Sequence, residues 1–381
     1  MSEVANIPQL RFSEFSGEWE EKKLGELCKF TQGVQIPFSE QLTKYKEGAI
    51  RYLYIRDFFT DDFPYYVKDQ YPNKVIHTDE IMMVNTGNTA GKAFMGATGV
   101  LSNNAFKVSF DKTKVSNIFL FQRITSDTIQ RRIKSFFNAG GQPHLGHKNI
   151  AIIPMGFASL KEQQKIAAFL TTVDSKIEQL SKKQELLKEY KKGLMQQIFS
   201  QATRFKADDG CDFPDWEEKK LGDVSVRGTS NISANQLEDN NGDYKIYGAA
   251  GHLKNIDFYT EEDCYVAIVK DGAGVGRIML LESKTSVLGT LAIIKAKQGN
   301  DINFLYWLIQ TINFRKYVVG STIPHIYYRD YQAEKLRIPS LSEQAKIASF
   351  LSSIDNKIEQ VGKQLVESKQ FKKALLQQMF V

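Results

Sequence analysis

The residues of this 381-residue chain whose types and spacing could do chemistry are few, and they fall in turns and loops. Asp271-Gly272-Ala273-Gly274-Val275-Gly276 follows an apolar run with the glycine pattern of a dinucleotide-binding turn, in which backbone N–H groups would meet a pyrophosphate. Its counterpart, Thr86-Gly87-Asn88-Thr89-Ala90-Gly91, lacks that pattern, and no helix clearly follows either copy. Both therefore read as tight strand–turn–strand connections. Gly87 to Lys92 is one residue too short for a phosphate loop and has Ala93 where a Ser or Thr would hold magnesium. The acids of Pro214-Asp215-Trp216-Glu217-Glu218-Lys219 crowd one short segment, whereas metal-dependent cleavage needs ligands converging from separate elements. Phe63-Pro64-Tyr65-Tyr66 is not the Asn/Asp-Pro-Pro-Tyr/Phe turn of an adenine methyltransferase. Cys28, Cys211 and Cys264 are isolated, and His144 and His147 have no acidic or cysteine partner nearby in sequence, so neither a disulfide framework nor a metal site is expected. The chain reads as having no active site of its own.

Binding chemistry remains. Lys92 and Arg277 end the two glycine turns at equivalent places, suited to phosphate or guanine and equally to a solvated role. Gln142, His144, His147 and Lys148 lie in one loop, and His325, Tyr327, Tyr328 and Arg329 in another; each mixes bases with amides or aromatics, as a nucleic-acid contact or a surface connection would. Asn103 and Asn104 could read adenine or simply form a turn.

The elements that position these residues occur twice. Trp-Glu-Glu-Lys-Lys-Leu-Gly at Trp19 to Gly25 recurs unchanged at Trp216 to Gly222, preceded by Arg11-Phe12 and Arg204-Phe205. Glu162-Gln163-Gln164-Lys165-Ile166-Ala167 returns as Glu343-Gln344-Ala345-Lys346-Ile347-Ala348, 181 residues on. Each half is thus a divergent globular head followed by a similar helix: residues 1–158 then 159–200, and 201–340 then 341–381. Within the heads, Glu80 to Val84, Ala105 to Phe110, Tyr265 to Val269 and Leu291 to Ile294 read as strands. Ile118 to Phe137 and Ile302 to Val319 read as helices stopping near Gly140 and Gly320.

The repeated helices carry a heptad seam. Ile166, Leu170, Val173, Ile177, Leu180, Leu187 and Leu194 alternate four and three apart, with Gln184 and Lys191 in two slots. Ile347, Leu351, Ile354, Ile358, Val361 and Leu365 repeat the register. The expectation is two long helices packed as an antiparallel coiled coil, each extending roughly 60 Å for about 40 residues; ordinary amphipathic helices on a core are the alternative. The fold class is α+β: two mixed α/β heads separated by those helices, with a pseudo-twofold internal repeat.

Composition is that of a globular protein, 42% hydrophobic, 12% aromatic and 25% charged. No run spans a bilayer and no signal pattern opens the chain, so the cytoplasm is expected. A net charge of +6 permits nucleic-acid binding without requiring it.

Together, the Arg-Phe…Trp-Glu-x-x-x-Leu-Gly segments, the strand–turn segments ending Gly-Lys or Gly-Arg, Ile153-Pro154 and Ile338-Pro339 before Glu-Gln-x-Lys-Ile-Ala, and the paired helices resemble type I restriction-modification specificity subunits across nearly the whole chain. The resemblance implies that each head is a target recognition domain for half of a split site in double-stranded DNA. It also implies that the helices set the spacing and dock two methyltransferase subunits. Restriction subunits would then join, with S-adenosylmethionine, ATP and Mg2+ used in partner subunits and no cofactor here. The competing expectation is a coiled-coil scaffold with two protein-binding heads.

Overall fold

The computed structural model describes residues 6–137 and 141–381, and the chain divides into two compact units. One holds the chain up to Ser181 together with Lys363–Val381, and the other holds Lys182–Gly362. Each long helix, Leu160–Phe199 and Leu341–Gln378, contributes one stretch to each unit.

In the first unit, Ala105–Phe110 lies between Cys28–Gln32 and Ile81–Val84 in an antiparallel sheet that Ala93–Phe94 completes. All four residues of Ile81–Val84 are buried, which is why the segment reads as an unbroken apolar run rather than an alternating one. A second sheet orders Tyr65–Lys68, Ala49–Leu53, Gly99–Leu101 and Val75–Ile76. The second unit repeats the first sheet as Ser225–Thr229, Leu291–Ala296, Tyr265–Val269 and Ile278–Leu281, again with a wholly buried strand, Tyr265–Val269, inside it. Its companion sheet has three strands, Gly251–Ile256, Tyr244–Gly248 and Ser286–Val287. The glycine turns join antiparallel neighbours in both units, as strand–turn–strand connections.

The helix expected over 118–137 is two helices, Asn117–Thr125 and Asp127–Lys134. Ser126 is extended (φ −65°, ψ 148°), and its hydroxyl donates to Arg123 O at 2.7 Å, taking a carbonyl that a continuing helix would use. In the second unit the helix is Ile302–Ile309, followed by a 3₁₀ turn at Phe314–Tyr317; Thr311 Oγ1 donates to Leu308 O at 2.7 Å in the same manner. Gly140, the expected stop of the first, lies outside the described residues.

The repeated sequence blocks clamp head to helix. Glu162 is 2% exposed and accepts from Arg11 and from Trp19 Nε1 at 3.3 Å; Glu343 is fully buried and accepts from Arg204 and from Trp216 Nε1 at 3.1 Å. Beside them, Gln163 Oε1 accepts from Ser116 N and Gln344 Oε1 from Asp301 N, both at 2.9 Å, at the N-caps of the head helices. A buried carboxylate and amide are tolerated because their polar atoms are paired. Each core closes on an aromatic trio: Phe380, Trp19 and Phe119 in the first unit, and Phe199, Trp216 and Phe304 in the second.

The heptad positions are buried or half-buried in both helices. Lys191 and Lys372, which holds the matching slot 181 residues on, meet acids on the facing helix. In the second unit Lys191 Nζ is 2.6 Å from Asp355 Oδ1, and Gly362 stands opposite Gln184, so the helices run in opposite directions there. In the first unit Lys372 Nζ is 2.6 Å from Asp174 Oδ1, a carboxylate that Gln122 Nε2 also reaches at 2.6 Å.

Candidate nucleic-acid interface

In each unit the glycine turn and the later basic loop, far apart in sequence, are fastened together by backbone bonds. Gly87 N donates to Pro143 O at 2.9 Å and Leu145 N to Asn85 O at 2.7 Å. Gly272 N donates to Pro324 O and Ile326 N to Lys270 O, both at 2.9 Å. These bonds flank the bridges Thr86–His144 and Asp271–His325. The clamp demands a sharp turn: Gly91 and Gly276 sit at φ +84° and +85° with Ile133 and Phe314 against the place a Cβ would take, so glycine is required by both conformation and space.

The two histidines occupy matching places. His144 Nδ1 lies 3.0 Å from Thr86 Oγ1, and His325 Nδ1 lies 2.8 Å from Asp271 Oδ1. Burial pushes the Asp271 carboxyl up, but hydrogen bonds from His325 and from Lys270 Nζ, at 2.6 Å, outweigh it and hold the group below the usual carboxylate range. Tyr327 stacks beside His325, with ring centroids 6.5 Å apart and planes 18° from parallel, and the Arg329 guanidinium lies 5.0 Å over the Tyr327 ring. Such a ridge offers flat faces and a charge-assisted donor together.

The remaining sequence candidates divide into outward and inward positions. Gln142, Lys148 and Lys92 are exposed in the first unit. Asn103 Nδ2 donates to Gln35 Oε1 at 3.3 Å, and Asn104 O accepts from Asn85 N at 2.9 Å, which brings that turn up to the clamp. Arg277 is exposed, and its Nη1 is anchored on Ala249 O at 2.6 Å. His147 and Tyr328 face inward at matching places. His147 packs on Phe30 and Phe106, where burial and then nearby His144 hold its imidazole below the usual value, and Tyr328 Oη lies 3.1 Å from Ser225 Oγ.

Sequence reading missed two features. Asp271 and Thr86 as partners of the loop histidines have no local signal, since more than fifty residues separate each pair. Arg56, whose guanidinium lies 5.4 and 5.0 Å over the rings of Tyr54 and Tyr65, borders with Asn104 and exposed Phe38 a cavity of about 430 Å³. The tyrosine-rich run from Tyr52 to Tyr66 was the available hint. Among the described residues, no group of three His, Cys, Asp or Glu side chains could hold a metal ion, and no helix is long and apolar enough to cross a membrane.

Comparison with known proteins gives the class. The profile of the type I restriction modification DNA specificity domain matches twice, over residues 16–189 and 214–368. The MjaVIII type I restriction enzyme specificity subunit of Methanocaldococcus jannaschii is 26% identical over 94% of this chain and 91% of its own length. The EcoDI specificity subunit of Escherichia coli is 28% identical over 42% of this chain and 37% of its own. In fold, the chain is similar to the crystal structure of the type I restriction-modification S subunit from M. genitalium, with a TM-score of 0.69 and 15% identity over 98% of this chain and 99% of that one. The chain belongs to the type I restriction modification DNA specificity family. It is a specificity subunit, the component of such systems that is not itself an enzyme.

Proposed function

We propose that the two heads, 1–158 and 201–340, each read one half of a bipartite site in double-stranded DNA through the clamped turn and loop. The helical segments 159–200 and 341–381 pack as an antiparallel coiled coil that sets the distance between half-sites and docks two methyltransferase subunits. The observation that carries this reading is the clamp itself. The same backbone bonds present a histidine and a basic residue, His144 with Lys148 and His325 with Arg329, while their surroundings differ between heads. A constant scaffold with changed side chains is what two readers of different sequences require.

Two heads are needed on energetic grounds. A mismatch costs about 1 to 3 kcal/mol, so a head reading three or four base pairs supplies only part of the roughly 4 to 10 kcal/mol that separates specific from non-specific binding. A stiff helical connection permits mainly one spacing where a flexible one would permit several. Tyr190 and Phe371, 181 residues apart, are 56% and 55% exposed on the two helices, and such matching aromatics suit two copies of one partner. Restriction subunits join the full complex, and S-adenosylmethionine, ATP and Mg2+ are used in partner subunits.

The test is methylation mapping in cells carrying the chain with its methyltransferase partner. A split motif of two short half-sites that disappears with the chain is the expected result. Absence of chain-dependent methylation, despite a stable complex with an active methyltransferase, would overturn the reading in favour of a protein-binding scaffold.

A further inference from the structure

We propose that Asp271 fixes the hydrogen-bonding polarity of His325, so that the second head presents an acceptor to the base edges and selects an amino group, adenine N6 or cytosine N4, at one position of its half-site. This rests on the reading that the loop faces DNA.

An ionised carboxylate can only accept hydrogen bonds. With Asp271 Oδ1 2.8 Å from Nδ1, the ring must carry its proton on that nitrogen. Lys270 Nζ, 2.6 Å from Oδ2, keeps the carboxylate in its charged form. A neutral imidazole has a single N–H, so Nε2 is left with a lone pair. Turning the ring over would take Nδ1 away from Asp271 and break their bond. The backbone that carries the ring is bonded to Val319 in both directions, at 2.9 and 2.8 Å, and the Tyr327 ring lies alongside. The charged groups facing this place are Asp271, Lys270 and, beyond the Tyr327 ring, Arg329.

In the major groove, adenine and cytosine offer amino donors at N6 and N4 where guanine and thymine offer the oxygens O6 and O4. A lone pair on Nε2 is matched by the first two and opposed by the others. The first head differs here. Thr86 Oγ1 donates to Asn85 Oδ1 at 3.3 Å and lies 3.0 Å from His144 Nδ1; a hydroxyl has one proton and can turn it to either partner, so no charge imposes the polarity of His144. Thr86 and Asp271 are equivalent in the repeat, and a single exchange of hydroxyl for carboxylate alters what the two histidines can read.

The experiment is a binding selection at pH 8, where imidazoles are ordinarily neutral. It uses the complex of the full chain with its methyltransferase partner and DNA randomised across the second half-site. The native complex is expected to favour adenine or cytosine about tenfold on the contacted strand at one position. In Asp271→Asn the amide can donate to Nδ1 as well as accept from it, and the preference is expected to fall below about threefold there alone. His325→Ala should lose the same position. Asp271→Thr, which installs the first head's pairing, serves if the Asn variant does not fold. Nitrogen-15 spectra of the histidines should show the Nδ1–H form of His325 in the native chain and a mixture in Asp271→Asn. A preference lost in His325→Ala but kept in Asp271→Asn, a guanine or thymine at that position, or an Nε2–H signal would overturn the inference and leave the loop as a reader. An unchanged motif and affinity in His325→Ala would instead overturn the reading of the loop itself.

Discussion

Arg11 forks onto Glu162, with Nε 2.7 Å from Oε1 and Nη2 2.8 Å from Oε2, around a carboxylate that solvent hardly reaches. The same arginine donates to the carbonyls of Ser16 and Gly17, so one side chain ties the leading segment to the start of the long helix. Arg204 does this for the second unit, reaching Glu343 and the carbonyls of Phe213 and Pro214.

Removing one partner of such a pair leaves a buried charge without compensation. Arg11→Ala is expected to lower stability by about 3 kcal/mol in denaturant unfolding, with Arg11→Lys recovering only part because a single ammonium cannot fork. A loss below about 1 kcal/mol would show that water reaches Glu162 and replaces the arginine.

The blocks that repeat in sequence were legible as repeats, but their purpose was not. Glu162 and Gln163 look like ordinary helix-surface residues until Arg11, Trp19 and Ser116 arrive from elsewhere in the chain. Glu20–Lys23 and Glu217–Lys220 were equally opaque, being strands made wholly of charged residues. Backbone pairing with Pro154–Phe157 and Lys335–Ile338 holds them, so no apolar alternation marks them. The buried strands were readable because burial on both faces leaves an unbroken apolar run. Ser126 and Thr311 ended helices whose apolar spacing ran on past them, since a hydroxyl bonded back to a carbonyl leaves no mark on hydrophobic period.

The spacer reading makes a geometric prediction. Seven residues inserted after Lys182 and seven after Lys363 keep pairs such as Lys191–Asp355 and Asp174–Lys372 in register. Each helix lengthens by about 10 Å, equivalent to about three base pairs. Methylation mapping should find the gap between half-sites longer by that amount with both half-sites unchanged; altered half-sites across the old gap would sink the account.

Basic side chains at the loops should act through phosphate charge. The Arg329 side chain is 77% exposed, and Lys148 holds the matching place in the first head. Arg329→Ala and Lys148→Ala are each expected to weaken binding and to reduce the slope of log affinity against log salt by about one, measured by titration at several salt concentrations. A slope unchanged in both variants would remove these residues from the interface.

The three thiols should separate by reactivity. Burial pushes the Cys28 thiol up to about 12, so at pH 8 almost none is thiolate, whereas Cys211 and Cys264 are exposed. A thiol reagent at that pH is expected to label two cysteines in the folded protein and the third only after unfolding. Rapid labelling of all three would mean that the sheet around Cys28 opens easily.

Leu375, Met379 and Phe380 belong to the first core although they arrive from the far end of the chain. Their counterparts in the repeat, Leu194, Ile198 and Phe199, close the long helix that follows the first head. A fragment of residues 1–200 would therefore lack the side chains that finish its own core while carrying a near-copy of them at its far end. Two such fragments can complete each other by exchange, each lending Ile198 and Phe199 to its neighbour's vacancy beside Trp19 and Phe119. The expected species in sedimentation is a homodimer with two first heads, for which the matching DNA is a palindrome; a folded monomer would contradict it.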